Sequence, residues 1–341
     1  MLENNDIRFT SLQMRTDRFG WAGIQHSNNK QAILFTRNGG VEWDVVNPPN
    51  SIILSVYPIN SRSSWAYGLT KVDDNREPAI FYTVNRGGKW NKFILPIEEN
   101  WELSTDVQVQ MHATNMGSIW IILSRKLKSN KFQHNLYYTK SKGRVWKVIR
   151  NINISDSISG VTFINRLVGF ISLQKNYEKS TVFKTIDGGK SWSPIKDVPS
   201  IEGTINGNSM AYKAIYKNNL LAIPTKINNN IFFMNYSLDN GNTWHISNEK
   251  MNTSKVAVSF FSSQYGWVIN RENGGVYQIK KKGLEWIELS SNPLLKSVFC
   301  LHFLNQHNGW ACSKKELFTT TDRGITWENV DYKINQIDKL T

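Results

Sequence analysis

Few groups in this chain stand at spacings that bond-making chemistry requires. Glu98, Glu99, Glu102 and Asp106 gather beside Trp101, and a glycosidase needs two carboxylates facing each other across roughly 5 to 9.5 Å. A solvated connecting loop accounts for the same residues, and nothing in their spacing turns two of them toward one another. The six histidines, His26, His112, His134, His245, His302 and His307, lack the His-x-x-x-His or His-Glu spacing of a metal site, so isolated loop histidines and no metal are expected. Gly189-Lys190-Ser191 comes nearest to a phosphate-binding loop, but it opens a strand pattern instead of a helix. Gly-x-Ser-x-Gly is absent, so no hydrolase nucleophile elbow is indicated. No cofactor is expected. Cys300 and Cys312, the only two cysteines, are too few for a disulfide scaffold or a four-cysteine zinc site. They lie equidistant from Gln306, on either side of a turn, where a bridge needs a favourable cross-strand position; two buried thiols are the default.

The elements that would carry any site are marked by tryptophan. Seven octamers share the pattern Ser/Thr, any residue, Asp or a substitute, any residue, Gly, two residues, Trp: Thr36 to Trp43, Thr83 to Trp90, Thr139 to Trp146, Thr185 to Trp192, Ser237 to Trp244, Ile279 to Trp286 and Thr320 to Trp327. Each octamer reads as a hairpin turn. Asp187, Asp239 and Asp322, with Asn38 and Asn85 as equivalents and Ser141 as a weaker substitute, can accept backbone N–H bonds about two residues on. Gly40, Gly87, Gly143, Gly189, Gly241, Gly283 and Gly324 are expected at positive φ. Lys281 cannot replace the acid, which leaves the sixth octamer degenerate. The tryptophans Trp43, Trp90, Trp146, Trp192, Trp244, Trp286 and Trp327 are expected to be buried between neighbouring sheets.

About 17 to 26 residues before each of these tryptophans comes a second signal: Gly20-Trp21, Ser64-Trp65, Ile119-Trp120, Gly169-Phe170, Leu220-Leu221, Gly266-Trp267 and Gly309-Trp310. It marks a strand start. Four short strands per unit, repeated seven times, predict an all-β seven-bladed β-propeller of four-stranded antiparallel blades. One domain spans 1–341, with blades at about 7–48, 50–96, 106–150, 158–197, 209–249, 255–290 and 296–333. Each blade is contiguous in sequence on this reading, and the segment that closes the ring stays open.

At these octamers the sequence resembles the Asp-box, or BNR, repeat families, and most of all the photosystem II stability and assembly factor-like propellers. The resemblance implies structural boxes lying away from any catalytic centre, and it carries fold more than function. Sialidases also contain Asp-boxes. Their arginine cluster and Arg-Ile-Pro segment are missing here, the nearest fragment being Arg76-Glu77-Pro78, and seven units replace their six.

The 341 residues carry a formal net charge of +14, which favours anionic partners; a solubility margin is the competing explanation. Sorting loop residues by propeller face gives one mixed face, where Arg125, Lys126, Lys128 and Lys131 oppose Asp73, Asp74, Glu98, Glu99 and Glu102. The other face, with the octamer turns, is basic. Arg86, Lys142, Arg144, Lys280, Lys281, Lys282 and Arg323 are its candidate binding residues. A nucleic-acid partner is not expected, because the basic residues are not interleaved with exposed aromatics. The expected function is a non-catalytic binding or scaffold protein for a protein or an anionic envelope polymer, acting as a monomer. A carbohydrate-active enzyme or lectin with its site at the channel mouth is the alternative. No apolar run is long enough to span a membrane. Met1 to Arg8 is polar, so the chain as it stands is expected in the cytoplasm; an export or lipoprotein signal ahead of it in the gene would make it secreted or envelope-anchored.

Overall fold

The computed structural model describes residues 7–26, 31–72, 75–96, 107–115, 117–177, 180–196, 198, 209–228, 230–280 and 285–336. They form seven sheets, antiparallel except for one parallel strand at the edge of the first. Blade 1 holds β1 (Ile7–Met14), β2 (Gly20–His26), β3 (Gln31–Thr36) and β4 (Glu42–Val45), and blade 2 holds β5 (Ser51–Pro58), β6 (Ser64–Val72), β7 (Asn75–Thr83) and β8 (Asn91–Ile94). Blade 3 holds β9 (Gln108–Asn115), β10 (Ser118–Lys126), β11 (Phe132–Thr139) and β12 (Lys147–Ile149), and blade 4 holds β13 (Ile158–Phe163), β14 (Gly169–Tyr177), β15 (Ser180–Thr185) and β16 (Ser193–Pro194). Blade 5 contains β17 (Ser209–Ala211), β18 (Ile215–Lys217), β19 (Leu220–Ile227), β20 (Ile231–Ser237), β21 (His245–Ile246) and β22 (Met251–Asn252). Blade 6 holds β23 (Val256–Phe260), β24 (Gly266–Asn270), β25 (Gly275–Lys280) and β26 (Glu285–Ser291), and blade 7 holds β27 (Cys300–Phe303), β28 (Gly309–Cys312), β29 (Leu317–Thr320) and β30 (Glu328–Asn329).

Hydrophobic burial divides by seam. Each of the seven core clusters combines residues of two adjacent blades, and the first joins Trp310, Cys312 and Leu317 of blade 7 to Phe9, Leu12 and Trp43 of blade 1. The ring is therefore closed by packing. It is also closed by the backbone: β31 (Lys333–Asn335) pairs in parallel with β4, opposite Glu42, Trp43 and Asp44. Lys333, placed by sequence at the end of blade seven, instead begins this fifth strand of blade 1.

Six of the seven second strands begin at the small or aliphatic residue of the second signal, and β10 begins one residue earlier, at Ser118. A cross-strand contact explains the glycines. A Cβ on Gly169, Gly266 or Gly309 would lie 2.6 to 2.7 Å from the ring of Phe163, Phe260 or Phe303, the residue that ends the preceding strand and pairs with it. A phenylalanine six residues before each of these glycines is the sequence mark of that packing.

The octamers form one repeated turn. The Gly40 amide donates to the Thr36 hydroxyl at 3.0 Å, and Gly189 and Gly241 repeat this with Thr185 and Ser237 at 2.9 and 2.7 Å. The Asp187 carboxylate accepts from the Lys190 and Ser191 amides, three and four residues on instead of two. Asn38, Asn85 and Ser141 accept from the amide four residues on, at 2.9, 2.8 and 2.9 Å. Gly40 and Gly143 adopt φ of 104° and 82°, and a Cβ there would also strike Leu317 or Phe93 of the preceding blade. The glycine is thus required twice, for the turn and for the seam. Gly283, Lys281 and Lys282 lie outside the described residues.

Of the octamer tryptophans, Trp43, Trp192, Trp244 and Trp327 are buried, whereas Trp90, Trp146 and Trp286 are only half-buried. The expectation of uniform burial is corrected there. The Trp43, Trp192 and Trp327 indoles donate to the carbonyl of their own octamer glycine, while Trp90 donates to Val46 O of blade 1.

These turns make stability acid-sensitive. Burial alone would raise the Asp187 carboxyl, but donors from Ser191, Thr185 and Lys190 outweigh it and hold it at about 2. The Thr243 amide and hydroxyl lead the donors that lower Asp239, and Asp322 is lowered by Thr326 and Thr320 against the opposing effect of burial. A carboxyl depressed on folding stabilises fully above its unfolded value, about 4, and ceases to do so as pH falls through its folded value. Urea midpoints should therefore hold from pH 7 to 5 and fall between about pH 4 and 2. The triple variant Asp187→Asn, Asp239→Asn, Asp322→Asn should flatten that decline; an unchanged acid slope would remove the octamer carboxylates as its cause.

Candidate channel mouth and basic face

In blades 1, 2, 3, 4 and 7 the turn between the first two strands and the octamer turn lie on one face, because their backbones bond directly: Gly39 N–H to Arg18 O, Arg86 to Arg62, Lys142 to Gly117, Gly188 to Leu167 and Arg323 to His307. The inner strands end at this same face. Groups from non-adjacent blades meet there, which in a ring is possible only at the axis.

The inner strand of blade 5 supplies the first of them. Pro224 in β19 has no N–H, and opposite it the inner strand breaks into β17 and β18, leaving Tyr212, Lys213 and Ala214 between the two registers. Only the Tyr212 amide bonds across, to Pro224 O. Released from the ladder, Lys213 crosses blade 4 at Gly160, where a Cβ would lie 2.4 Å from the Lys213 Cβ. Its Nζ donates to Met111 O of blade 3 at 2.9 Å and sits 5.1 Å from the centre of the Tyr57 ring of blade 2. Tyr57 and His112 share a hydrogen bond at 3.3 Å. This half of the mouth is internally satisfied. Burial lowers Lys213 to about 8. His112 is lowered to about 3 by burial and then by Lys213, against a bond to the Phe163 backbone, so it is neutral at pH 7.

The other half is not balanced. Arg15 of blade 1 donates through Nη2 to Gln13 Oε1 and Pro58 O, while its buried Nε has no acceptor among the described residues. Lys217 of blade 5 is solvent-exposed along part of its length, yet surrounding protein lowers its ammonium and Arg15 lowers it further. His302 of blade 7 is lowered to about 3 by burial, then by Arg15 and Lys217, against a bond to the Met14 backbone. No Asp or Glu occurs in any of the seven inner strands. The expectation of isolated loop histidines fails for His112, inside β9, for His302, one residue from the end of β27, and for His134, which is buried within β11 and bonded to Ser124 and Asp156 O.

The rim residues are spread around the same face. Arg86, Lys142 and Arg323 occupy the octamer position before the glycine with φ of 64°, 55° and 73°, where a residue with a Cβ is disfavoured by about 1 to 2 kcal/mol. The Arg86 guanidinium lies 4.4 Å from the Phe19 ring centre. Lys142, Arg144 and Arg323 are exposed, and Lys280 ends β25. Among the described residues no contact joins them. Glu98, Glu99, Trp101, Glu102 and Asp106 lie outside the described residues. Among the described residues no cluster of three potential metal ligands occurs, and no helix is long and apolar enough to cross a membrane.

Two other concavities lie away from this mouth. A cleft of 1210 Å³ between blades 3 and 4 is lined by Arg125, Phe132, Asp156, Trp192 and Lys196. A groove of 730 Å³ on the opposite face is lined by Arg8, Arg271, Lys314, Lys315 and Glu316. Among the described residues each contains one carboxylate, Asp156 and Glu316, where a glycosidase needs a facing pair. Cys300 and Cys312 are directly opposite in β27 and β28 and are free thiols.

A family model described as sortilin, neurotensin receptor 3, matches residues 31–166, less than half the chain. No curated protein matches. Among solved structures, YCF48 bound to a D1 peptide is similar at 13% identity and a TM-score of 0.59, over 93% of this chain and 92% of that one. The GH74 enzyme of Niastella koreensis is similar at 12% identity and a TM-score of 0.64, over 96% of this chain. This chain spans about half of that enzyme, 54% of its length. A streptogramin B lyase is similar at 11% identity and a TM-score of 0.56, over 94% and 93% of the two chains. The shared property is the fold. Seven-bladed propellers serve both binding proteins and enzymes, and the choice between them rests on the groups at the site.

Proposed function

We propose that this protein is a non-catalytic binding or scaffold protein whose octamer face holds an acidic protein partner or an anionic envelope polymer. The observation that carries the reading is the charge of the mouth: Lys213 reaches across blade 4 to Met111 O of blade 3 there, and the inner strands supply no carboxylate. Three basic rim residues held at positive φ point the same way, since glycine or asparagine would suit those turns better. The likeness to YCF48, solved with a peptide, supports a protein partner. The octamers are best read as Asp-boxes, and an envelope or extracellular location fits an anionic polymer partner.

Binding of polyglutamate and of vesicles containing anionic lipid, at low and high salt, tests this reading. Lys142→Glu, Arg144→Glu and Arg323→Glu together should weaken binding about tenfold or more, from roughly 0.5 to 1 kcal/mol per exposed charge, with little change in melting temperature. Reversal of Arg125, Lys126 and Lys128 on the other face should do much less. High salt should reduce the affinity of the native protein. Equal loss from both faces, or indifference to salt, would leave only dispersed solubility charge.

A further inference from the structure

Four cations from three blades line the groove of 730 Å³ on the face opposite the octamer turns: Arg8 of β1, Arg271 in the turn after β24, and Lys314 and Lys315 in the turn after β28. Hydrogen bonds hold the backbone beneath them. Phe9 N–H donates to Lys314 O at 2.8 Å, which places Lys314 next to the Arg8–Phe9 backbone across the seam that closes the ring. Arg271 N–H donates to Lys255 O at 3.0 Å, and the Tyr332 hydroxyl donates to Lys315 O at 2.9 Å. Glu316 is the one carboxylate of the lining among the described residues, and its Oε2 accepts from Ser313 Oγ at 3.2 Å instead of from a cation. Among the described residues no ion pair joins any of the four cations to a carboxylate. The enclosed Arg271 Nε has no acceptor there either. An enclosed N–H of a charged group left unpaired is costly, and a groove with this excess of positive charge attracts anions.

The rest of the lining narrows the class of anion. Phe299 adds a half-buried ring, and the Glu316 carboxylate keeps capacity to accept further hydrogen bonds. A bare inorganic polyanion gains nothing from the ring and is repelled by Glu316. A peptide uses all three kinds of group: its carboxylates meet the guanidiniums and ammoniums in charge-assisted bonds, a main-chain N–H meets Glu316, and an apolar side chain covers Phe299. The volume also suits a ligand larger than one oxyanion, since pockets for drug-sized molecules span roughly 300 to 1,000 Å³. We infer that this groove binds an acidic peptide segment of a partner protein, one that carries an apolar residue among its carboxylates. The inference goes beyond the octamer-face reading, because the groove lies on the other face and shares no residue with it. Each can fail while the other stands.

Fluorescence anisotropy of a labelled hexapeptide, Glu-Asp-Leu-Glu-Asp-Leu, at low ionic strength tests the groove. The native protein should bind it, and should bind the amide counterpart Gln-Asn-Leu-Gln-Asn-Leu about tenfold or more weakly, as expected when charge-assisted bonds are lost. Lys314→Glu with Lys315→Glu should weaken the hexapeptide about tenfold or more. Both side chains are exposed, so the melting temperature of that variant should stay close to native. Arg271→Gln should give a similar loss of binding. The rim variant with Lys142, Arg144 and Arg323 reversed should retain hexapeptide affinity within about threefold, because β1, 8 residues long, spans about 27 Å and charges on the two faces are screened from each other. Failure of the native protein to bind, or equal binding by the native protein and either groove variant, overturns the groove. Inorganic tripolyphosphate binding as tightly as the hexapeptide overturns it as a peptide site and assigns it to a free polyanion. Loss of hexapeptide binding in the rim variant alone overturns the groove while leaving the octamer-face reading intact.

Discussion

Trp43→Ala should destabilise the protein by about 3 to 5 kcal/mol, the cost of deleting a large buried aromatic whose surroundings cannot collapse. Trp43 has no exposed surface. It stands where three separate closures meet: its indole donates to Gly40 O at 2.7 Å, Phe9 of β1 meets it edge-on at 6.4 Å, and Ile334 of β31 pairs opposite it. The same cluster contains Leu317 and Trp310 of blade 7. Removing the indole therefore opens the seam at which the first and last blades join. Trp146→Ala provides the contrast. Trp146 is half-buried, and its indole N–H has no partner among the described residues, so its loss should cost less than about 2 kcal/mol. Urea unfolding followed by circular dichroism measures both. Equal costs at the two positions would show that the closing seam has no special weight.

Gly160→Val should both destabilise the chain, by about 1 to 3 kcal/mol, and dismantle the satisfied half of the mouth. A Cβ at Gly160 would lie 2.4 Å from Lys213 Cβ and 2.6 Å from its Cα. A rotamer change cannot relieve a clash with backbone, so the Tyr212 to Ala214 bulge must move. Lys213 Nζ then leaves Met111 O and the Tyr57 ring. The amine, held at about 8 by burial in the native protein, should return toward the ordinary lysine value near 10.4 as water reaches it. Near pH 8 about half of the native Lys213 is uncharged and nucleophilic, against well under a hundredth of a surface lysine. Trinitrobenzenesulfonate should accordingly show one fast-reacting lysine in the native protein, over and above the α-amine at about 8, absent from Lys213→Met and slowed in Gly160→Val to the rate of the remaining lysines. A fast lysine that persists in Gly160→Val would mean that Gly160 does not position Lys213.

The architecture was legible in the sequence because its determinants are local and repeated seven times. A turn that needs Ser or Thr, an acceptor and a glycine within five residues leaves the same imprint in each blade, and the Gly-Trp signal falls where a bulky residue of one strand covers a missing side chain on the next. The facing of Cys300 and Cys312 followed from the same local register, their equal distance from one turn. Which turns share a face could be read as well, since strand order decides it. The uneven burial of Trp90, Trp146 and Trp286 could not, because it depends on what the adjoining blade places over each indole. Ring closure by Lys333–Asn335 was equally hidden: a three-residue strand carries no periodicity of its own, and its partner lies almost the whole chain away. The axial groups show the limit most clearly. Arg15, Tyr57, His112, Lys213, Lys217 and His302 belong to five blades and share no motif, and each looks like an ordinary loop-proximal residue until the ring brings the strand ends together. Sequence determines which residues end the inner strands; only closure of seven blades around one axis makes their charges neighbours.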